Sequence, residues 1–93
     1  MTGDVRRYEL RVAGPAVRQL ERLSDKIATA IVAFIVGALL EDPHRVGRAL
    51  QRELAGLYSA RRGAYRIVYE IREDVSTVVV LRIDHRSTVY RPH

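Results

Sequence analysis

Guanidinium groups crowd the last third of this 93-residue chain in a pattern that a sheet core does not require. Arg61, Arg66, Arg82 and Arg86 interrupt strand-like apolar alternation, and His85 and Tyr90 stand near the last of them. A guanidinium is a planar fork of N–H donors that matches the oxygens of a phosphate. An imidazole, with an ordinary pKa of about 6.5, gives or takes a proton near neutrality. A tyrosine hydroxyl, ordinarily near 10, becomes a base only where neighbouring cations lower it. Together these groups suit phosphate gripping and proton transfer on a ribose. Cleavage of RNA by its own 2′-hydroxyl needs a group to take that proton and charge stabilisation for the pentavalent phosphorane. It also needs a proton for the departing 5′ oxygen.

Each residue also has a purely structural reading. Arg66 could pair with Glu70 or Asp84 across a sheet, and a cation beside a turn, as at Arg61, is ordinary. His85 alone reads as a solvated strand end. Tyr58, Tyr65 and Tyr69 read as packing, and His44 and His93 as loop and terminal residues. Three scattered histidines without suitably spaced carboxylates, in a chain without cysteine, point away from a metal site. No cofactor is expected.

Charge is unevenly spread. Residues 1–43 carry six basic and six acidic side chains, and residues 44–93 carry ten and five, so the whole net +5 lies in the second half. A basic half on a neutral scaffold suits a polyanionic partner. Lys26 is the only lysine among 16 basic residues, which reads as GC-rich coding rather than as function. The start of the chain lacks the basic and apolar regions of a secretory signal, so a cytoplasmic protein is expected. The uncharged run Ile27–Leu40 has 14 residues, short of the roughly 20 that span a bilayer, and reads as a core helix rather than a membrane segment.

The elements that must position these groups follow from pattern. Tyr8–Val12 alternates as a half-buried strand. Gly14-Pro15 opens a first helix with an apolar stripe of Val17, Leu20 and Leu23. Ser24 is the expected N-cap of a second helix, with Asp25 in its first turn and Asp42-Pro43 as its stop. That helix is apolar on more than one face, Val32 and Val36 adding to Ile27, Ile31, Phe34, Ile35, Ala38 and Leu39. Either the fold buries it entirely or its outer side receives a partner. Asp42–Leu54 reads as a connection, with Arg45 and Arg48 around Gly47 and an amphipathic Leu50–Leu54 at its end. Three strands follow, Leu57–Arg61, Tyr65–Arg72 and Thr77–His85, the last holding the continuous apolar run Val78–Leu81 of a central strand. The expected architecture is one α+β domain over residues 1–93: a strand, two helices, then a three-stranded antiparallel meander, with the helices on one side of the sheet.

That order, with Leu54–Arg66 reading LAGLYSARRGAYR and Ile83–Arg91 reading IDHRSTVYR, resembles the RelE/ParE toxin superfamily, and within it the RelE branch of mycobacteria and other actinobacteria. The resemblance spans Tyr8 to Tyr90, and its specific parts are Arg-x-Gly-x-Tyr-Arg and His-Arg-x-x-x-Tyr. It implies the toxin half of a type II toxin–antitoxin pair, cleaving mRNA in the ribosomal A site without a metal. By the same resemblance Arg61 and Arg66 face the scissile phosphate, and His85 and Arg86 fall where a basic, proton-donating group follows the last strand. Tyr90 matches the C-terminal tyrosine that stacks on a base or handles the 2′-hydroxyl. Arg45, Arg48, Arg62 and Arg82 are the expected substrate contacts. One departure stands out: the best-studied RelE type has lysines on the strand equivalent to Leu57–Arg61, where this chain has Ser59 and Ala60.

The implied partners are a RelB-like antitoxin over the Ile27–Leu40 helix and the sheet, mRNA and the ribosome with its 16S rRNA. Operator DNA is met only through the toxin–antitoxin complex, and no membrane is involved. Two other readings share the fold. One is a ParE-like toxin that inhibits gyrase by protein contact, and the other is a member that keeps its antitoxin but has lost catalysis.

Overall fold

The computed structural model describes residues 7–89. The chain enters at one edge of a sheet as β1 (Glu9–Val12) and crosses one face as α1 (Gly14–Glu21) and α2 (Asp25–Phe34). A π-helical segment, Ile35–Leu39, carries α2 onward until the helix stops before Asp42 and Pro43. A short helix α3 (Pro43–Val46) then leads to β2 (Arg48–Ala49) on the far edge. From there β3 (Leu57–Arg62), β4 (Tyr65–Arg72) and β5 (Thr77–His85) walk back, and a final turn of helix, α4 (Arg86–Val89), follows. The spatial order is β1-β5-β4-β3-β2.

The α+β class and the order of the long elements are as the pattern implies, and Tyr65–Arg72 and Thr77–His85 have the expected bounds. The sheet is nonetheless mixed and has five strands. β1 pairs with β5 in parallel, Glu9 beside Thr77 and Val12 beside Val80, while the other pairings are antiparallel. The expected connection Asp42–Leu54 holds α3, β2 and a 3₁₀ turn at Arg52–Leu54. A two-residue strand carries no periodicity to read, and the direction of an edge strand is set by the crossover rather than by local sequence.

Ser24 caps α2 by accepting from the Ile27 N–H at 3.4 Å. The Arg7 guanidinium donates to the Val36 and Gly37 carbonyls of the π-helical segment, where the regular ladder is disturbed. Ile31, Ile35 and Leu39 face the sheet and, with Ala16, bury against Ile67, Tyr69, Val78, Val80 and Ile83. Val32 and Val36, on the other side, stay 42% and 44% exposed, so the fold does not bury this helix entirely. Among the described residues no helix is long and apolar enough to cross a membrane.

Alternation sends Tyr58, Ala60, Tyr65, Ile67 and Tyr69 toward the helices and Ser59, Arg61, Arg66 and Val68 to the open face. β5 breaks its own alternation. Val68 pairs with Arg82 but Tyr69 pairs with Val80, leaving Leu81 as the extra residue of a bulge. Buried apolar positions in β5 therefore run Val78, Val80, Ile83. Strict alternation from Val80 would have sent Arg82 and Asp84 into the core. The bulge turns both to the open face and sends His85 to the helix side.

Candidate nucleic-acid interface

Gly63, at a φ of 62°, permits the two-residue turn between β3 and β4. The register this turn sets puts Arg61 directly opposite Arg66 and Arg62 opposite Tyr65. Like charges directly opposite destabilise a sheet, so the two guanidinium groups do not stabilise each other. On the next strand Arg48 lies opposite Ser59, on the same face. Arg48, Ser59, Arg61 and Arg66 line a groove of about 420 Å³ with Val46, Gly47 and Leu50. Among the described residues that lining contains three arginines and no carboxylate.

The α3–β2 connection that brings Arg48 into the groove rests on close contact. A Cβ on Gly47 would lie 2.8 Å from the Ser59 carbonyl oxygen and closer still to the Tyr69 hydroxyl, so only glycine fits without displacement. Beneath it Tyr69 is fully buried and donates its hydroxyl to the Pro43 carbonyl at 2.7 Å. Burial, and secondarily nearby Tyr58, push the Tyr69 pKa up to about 12, with the Gly47 backbone opposing in part. Tyr69 is therefore a structural hydroxyl and not a base. At the same end of the sheet His44 contacts the Glu73 carboxylate and sets its ring edge-on to Tyr58 at 5.7 Å. Tyr8 also donates to Glu73, at 3.0 Å. His44 is thus a tie between α3 and the β4–β5 turn rather than an idle loop residue.

Beyond the groove, Arg82 and Asp84 share the open face, the Arg82 Nε 3.2 Å from the Asp84 Oδ2. Asp84 lies opposite Arg66 in the register. Of the two carboxylates considered as neighbours of Arg66, Asp84 is across from it, while Glu70 is four residues further along β4, opposite Leu57.

Of the other expected site residues, Arg45, Arg62, His85 and Arg86 do not line this groove. His85 pairs with Tyr65, ring edge to face at 5.1 Å, and so lies on the helix side, away from Arg61 and Arg66. Its Nδ1 accepts from the Ser87 N–H at 3.2 Å and meets the Ser87 hydroxyl at 2.8 Å, which leaves the ring proton on Nε2 and caps α4. Arg86 begins α4 with an exposed side chain, and its N–H donates to the Ala64 carbonyl at 2.7 Å. Arg62 lines a second, mostly apolar groove with Lys26, Ile27, Ile31 and Tyr65. Arg45 is exposed on α3, two residues before Gly47. Tyr90 lies outside the described residues. Sequence reasoning missed Asp84 and Gly47 as parts of the site. The signals were there: a carboxylate two residues after Arg82 in a strand, and a glycine set between Arg45 and Arg48.

Residues 10–90 match the family described as ParE toxin of type II toxin–antitoxin system, parDE. The chain belongs to this family. It is 49% identical over 84 residues to toxin RelG of Mycobacterium tuberculosis, covering 90% of this chain and 97% of that protein. Toxin RelE of the same organism is 46% identical over 84 residues, covering 90% and 87%. The crystal structure of the RelBE2 toxin–antitoxin complex from M. tuberculosis holds a chain that superposes with a TM-score of 0.83 at 49% identity, covering 86% of this chain and 99% of that one. The toxin of the E. coli RelBE complex, at 20% identity and a TM-score of 0.70 over 84% and 95% of the two chains, shares the fold. The protein is a RelE-like toxin of a type II toxin–antitoxin system.

Proposed function

We propose that this toxin is a ribosome-dependent endoribonuclease that cuts mRNA by attack of the 2′-hydroxyl on the adjacent phosphate, and that a RelB-like antitoxin holds it silent. The observation that carries the reading is the Arg61–Arg66 pair, with Arg48 beside it in one groove whose described lining holds no carboxylate. Preorganised cations around a phosphate stabilise the charge that develops on its oxygens, often the largest single catalytic effect. In this reading Arg61 and Arg66 hold the scissile phosphate and Arg48 and Arg82 hold its neighbours, with Arg45 and Arg62 as outer contacts. Proton transfer falls to His85, Arg86 and Tyr90 at the end of β5 and beyond. The described lining of the groove offers no strong base, so the ribosome would supply the ordered ribose and the exclusion of water. The antitoxin is supported by the related structures, which are RelBE toxin–antitoxin complexes, and by the apolar strip Ala28, Val32, Ala33 and Val36 on the outer side of α2 and its π-helical continuation.

A gyrase-directed, ParE-like activity is the second reading. His85 turned away from the arginines favours it, because such a toxin needs no proton donor beside a phosphate. Mapping of mRNA 5′ ends after induced expression separates the two: breaks at fixed codon positions support the nuclease, and DNA damage without breaks supports the alternative. In reconstituted translation, cutting is expected on programmed ribosomes and not on naked RNA, and a 2′-deoxy residue at the cut site should block it. Cutting at a 2′-deoxy position would rule out the mechanism.

A further inference from the structure

We propose that Gln19 is a positioning residue: from α1 it clamps β5 just beyond its bulge and thereby sets the aim of Arg82 and Asp84 over the open face. β1 ends opposite Val80, where the Ala13 N–H donates to the Val80 carbonyl at 2.8 Å. Past that point the outer edge of β5 has no strand beside it, and its N–H groups need another acceptor. Gln19 supplies one. Its Oε1 accepts from the Ile83 N–H at 2.8 Å, and its Nε2 donates to the Asp84 Oδ1 at 3.4 Å. Both ends of one amide are thus spent on consecutive residues of β5.

The residues so held are the ones the bulge has re-aimed. Leu81 is the unpaired residue, and the side chains after it point opposite to where strict alternation would send them. A one-residue slip back would turn Arg82 and Asp84 into the core and Ile83 out of it. Gln19 binds the Ile83 N–H only in the bulged register, so it selects that register. It also steadies the Asp84 carboxylate, whose side chain is 12% exposed and whose other oxygen holds the Arg82 Nε. Arg82 is held there through Nε, and its terminal amino groups have no described protein partner, so they are available to an anion. The chain of contacts runs from α1 through Gln19 and Asp84 to Arg82, with Arg66 opposite Asp84. The local clamp stands on geometry alone, and its consequence for substrate rests on the RNA-cleaving reading above.

Nitrogen-15 NMR of the full chain tests the clamp directly. Gln19→Met keeps length and removes both polar ends, so the Ile83 amide should exchange about five- to tenfold faster, the loss of one hydrogen bond. Val78 and Val80 should keep their protection, and the Arg82 Nε–H resonance should merge with those of solvent-exposed arginines. Gln19→Glu keeps the acceptor for Ile83 but sets a carboxylate against Asp84. It should preserve Ile83 protection and still lose the Arg82 resonance. On programmed ribosomes both variants should raise KM about fivefold while kcat, melting temperature and antitoxin affinity stay near wild type. Unchanged Ile83 exchange and an unchanged Arg82 resonance in folded Gln19→Met would overturn the proposal. Should that variant loosen β5 as a whole, Gln19→Glu decides: an undisturbed Arg82 resonance there refutes the clamp. If wild-type protein cuts no mRNA, the nuclease reading fails while both NMR results still judge the clamp.

Discussion

Arg61 and Arg66 gain nothing from each other. Placed directly across adjacent strands, two guanidinium groups repel, and removing Arg61 should leave stability level or raise it by a few tenths of a kcal/mol. Function should respond in the opposite sense. Arg66→Ala is expected to abolish growth arrest on induced expression, and Arg61→Ala to weaken it, since losing one donor to a developing oxyanion costs about 10²–10³ in rate. Arg18→Ala and Arg72→Ala, both at exposed positions, should remain toxic. The check is growth rescue scored beside a thermal melt and antitoxin binding for each variant. Wild-type toxicity in a well-folded Arg66→Ala protein would remove the groove from consideration. Arg61 and Arg66 were singled out in the sequence through the Arg-x-Gly-x-Tyr-Arg motif, and the two-residue turn between their strands sets them opposite one another. The facing of His85 was not legible, because it depends on the bulge at Leu81, and the resemblance alone grouped this residue with the arginines. The trace of that bulge is the core spacing Val78, Val80, Ile83, which jumps from two to three where a charged Arg82 would otherwise be buried.

Among the elements, the long strands and the capped helix were legible because each has many residues repeating one pattern. α3 and β2 were not, since their stability comes from a contact distant in sequence: Gly47 lying on Tyr69, and Tyr69 bonded to Pro43. Gly47→Ala should therefore destabilise the fold by about 1–3 kcal/mol, as overpacking does, and lower phosphate-dependent activity by moving Arg48. Chemical denaturation and the cleavage assay, run together, check both effects. Tyr69 adds a pH signature to the same element. Its folded pKa is raised to about 12 from an ordinary 10. The unfolded chain loses this proton first as pH rises, so the stabilisation is complete below pH about 10 and is lost between about 10 and 12. The loss should be on the order of 2–3 kcal/mol. Denaturant midpoints measured from pH 9 to 12 should fall with this slope in wild type. They should fall less in Tyr69→Phe, which starts lower for want of the bond to Pro43. Equal slopes would show that Tyr69 does not govern the alkaline limit.

For the molecule as a whole, the mixed sheet separates two surfaces with different chemistry. The open face carries Arg48, Arg61, Arg66 and Arg82, consistent with the basic excess of residues 44–93. The helix layer covers the other face and turns outward an apolar strip, with Val32 and Val36 exposed by 42% and 44%. An antitoxin that silences the toxin has reason to use both, gaining affinity from the strip and neutralising the cations with acidic residues. The two contributions can be separated by substitution. Val32→Glu with Val36→Glu changes exposed positions, so the fold should shift by no more than about 0.5 kcal/mol per site. Burying those carboxylates under a partner without compensation should cost at least about 2 kcal/mol, roughly thirtyfold in Kd. Isothermal titration with the RelB-like antitoxin should report that loss. The variant should stay toxic, because the arginine groove lies on the opposite side of the sheet, and antitoxin co-expression should no longer rescue growth fully. Unchanged affinity in the folded double variant would mean that the antitoxin leaves the outer side of α2 uncovered and silences the toxin through the sheet alone.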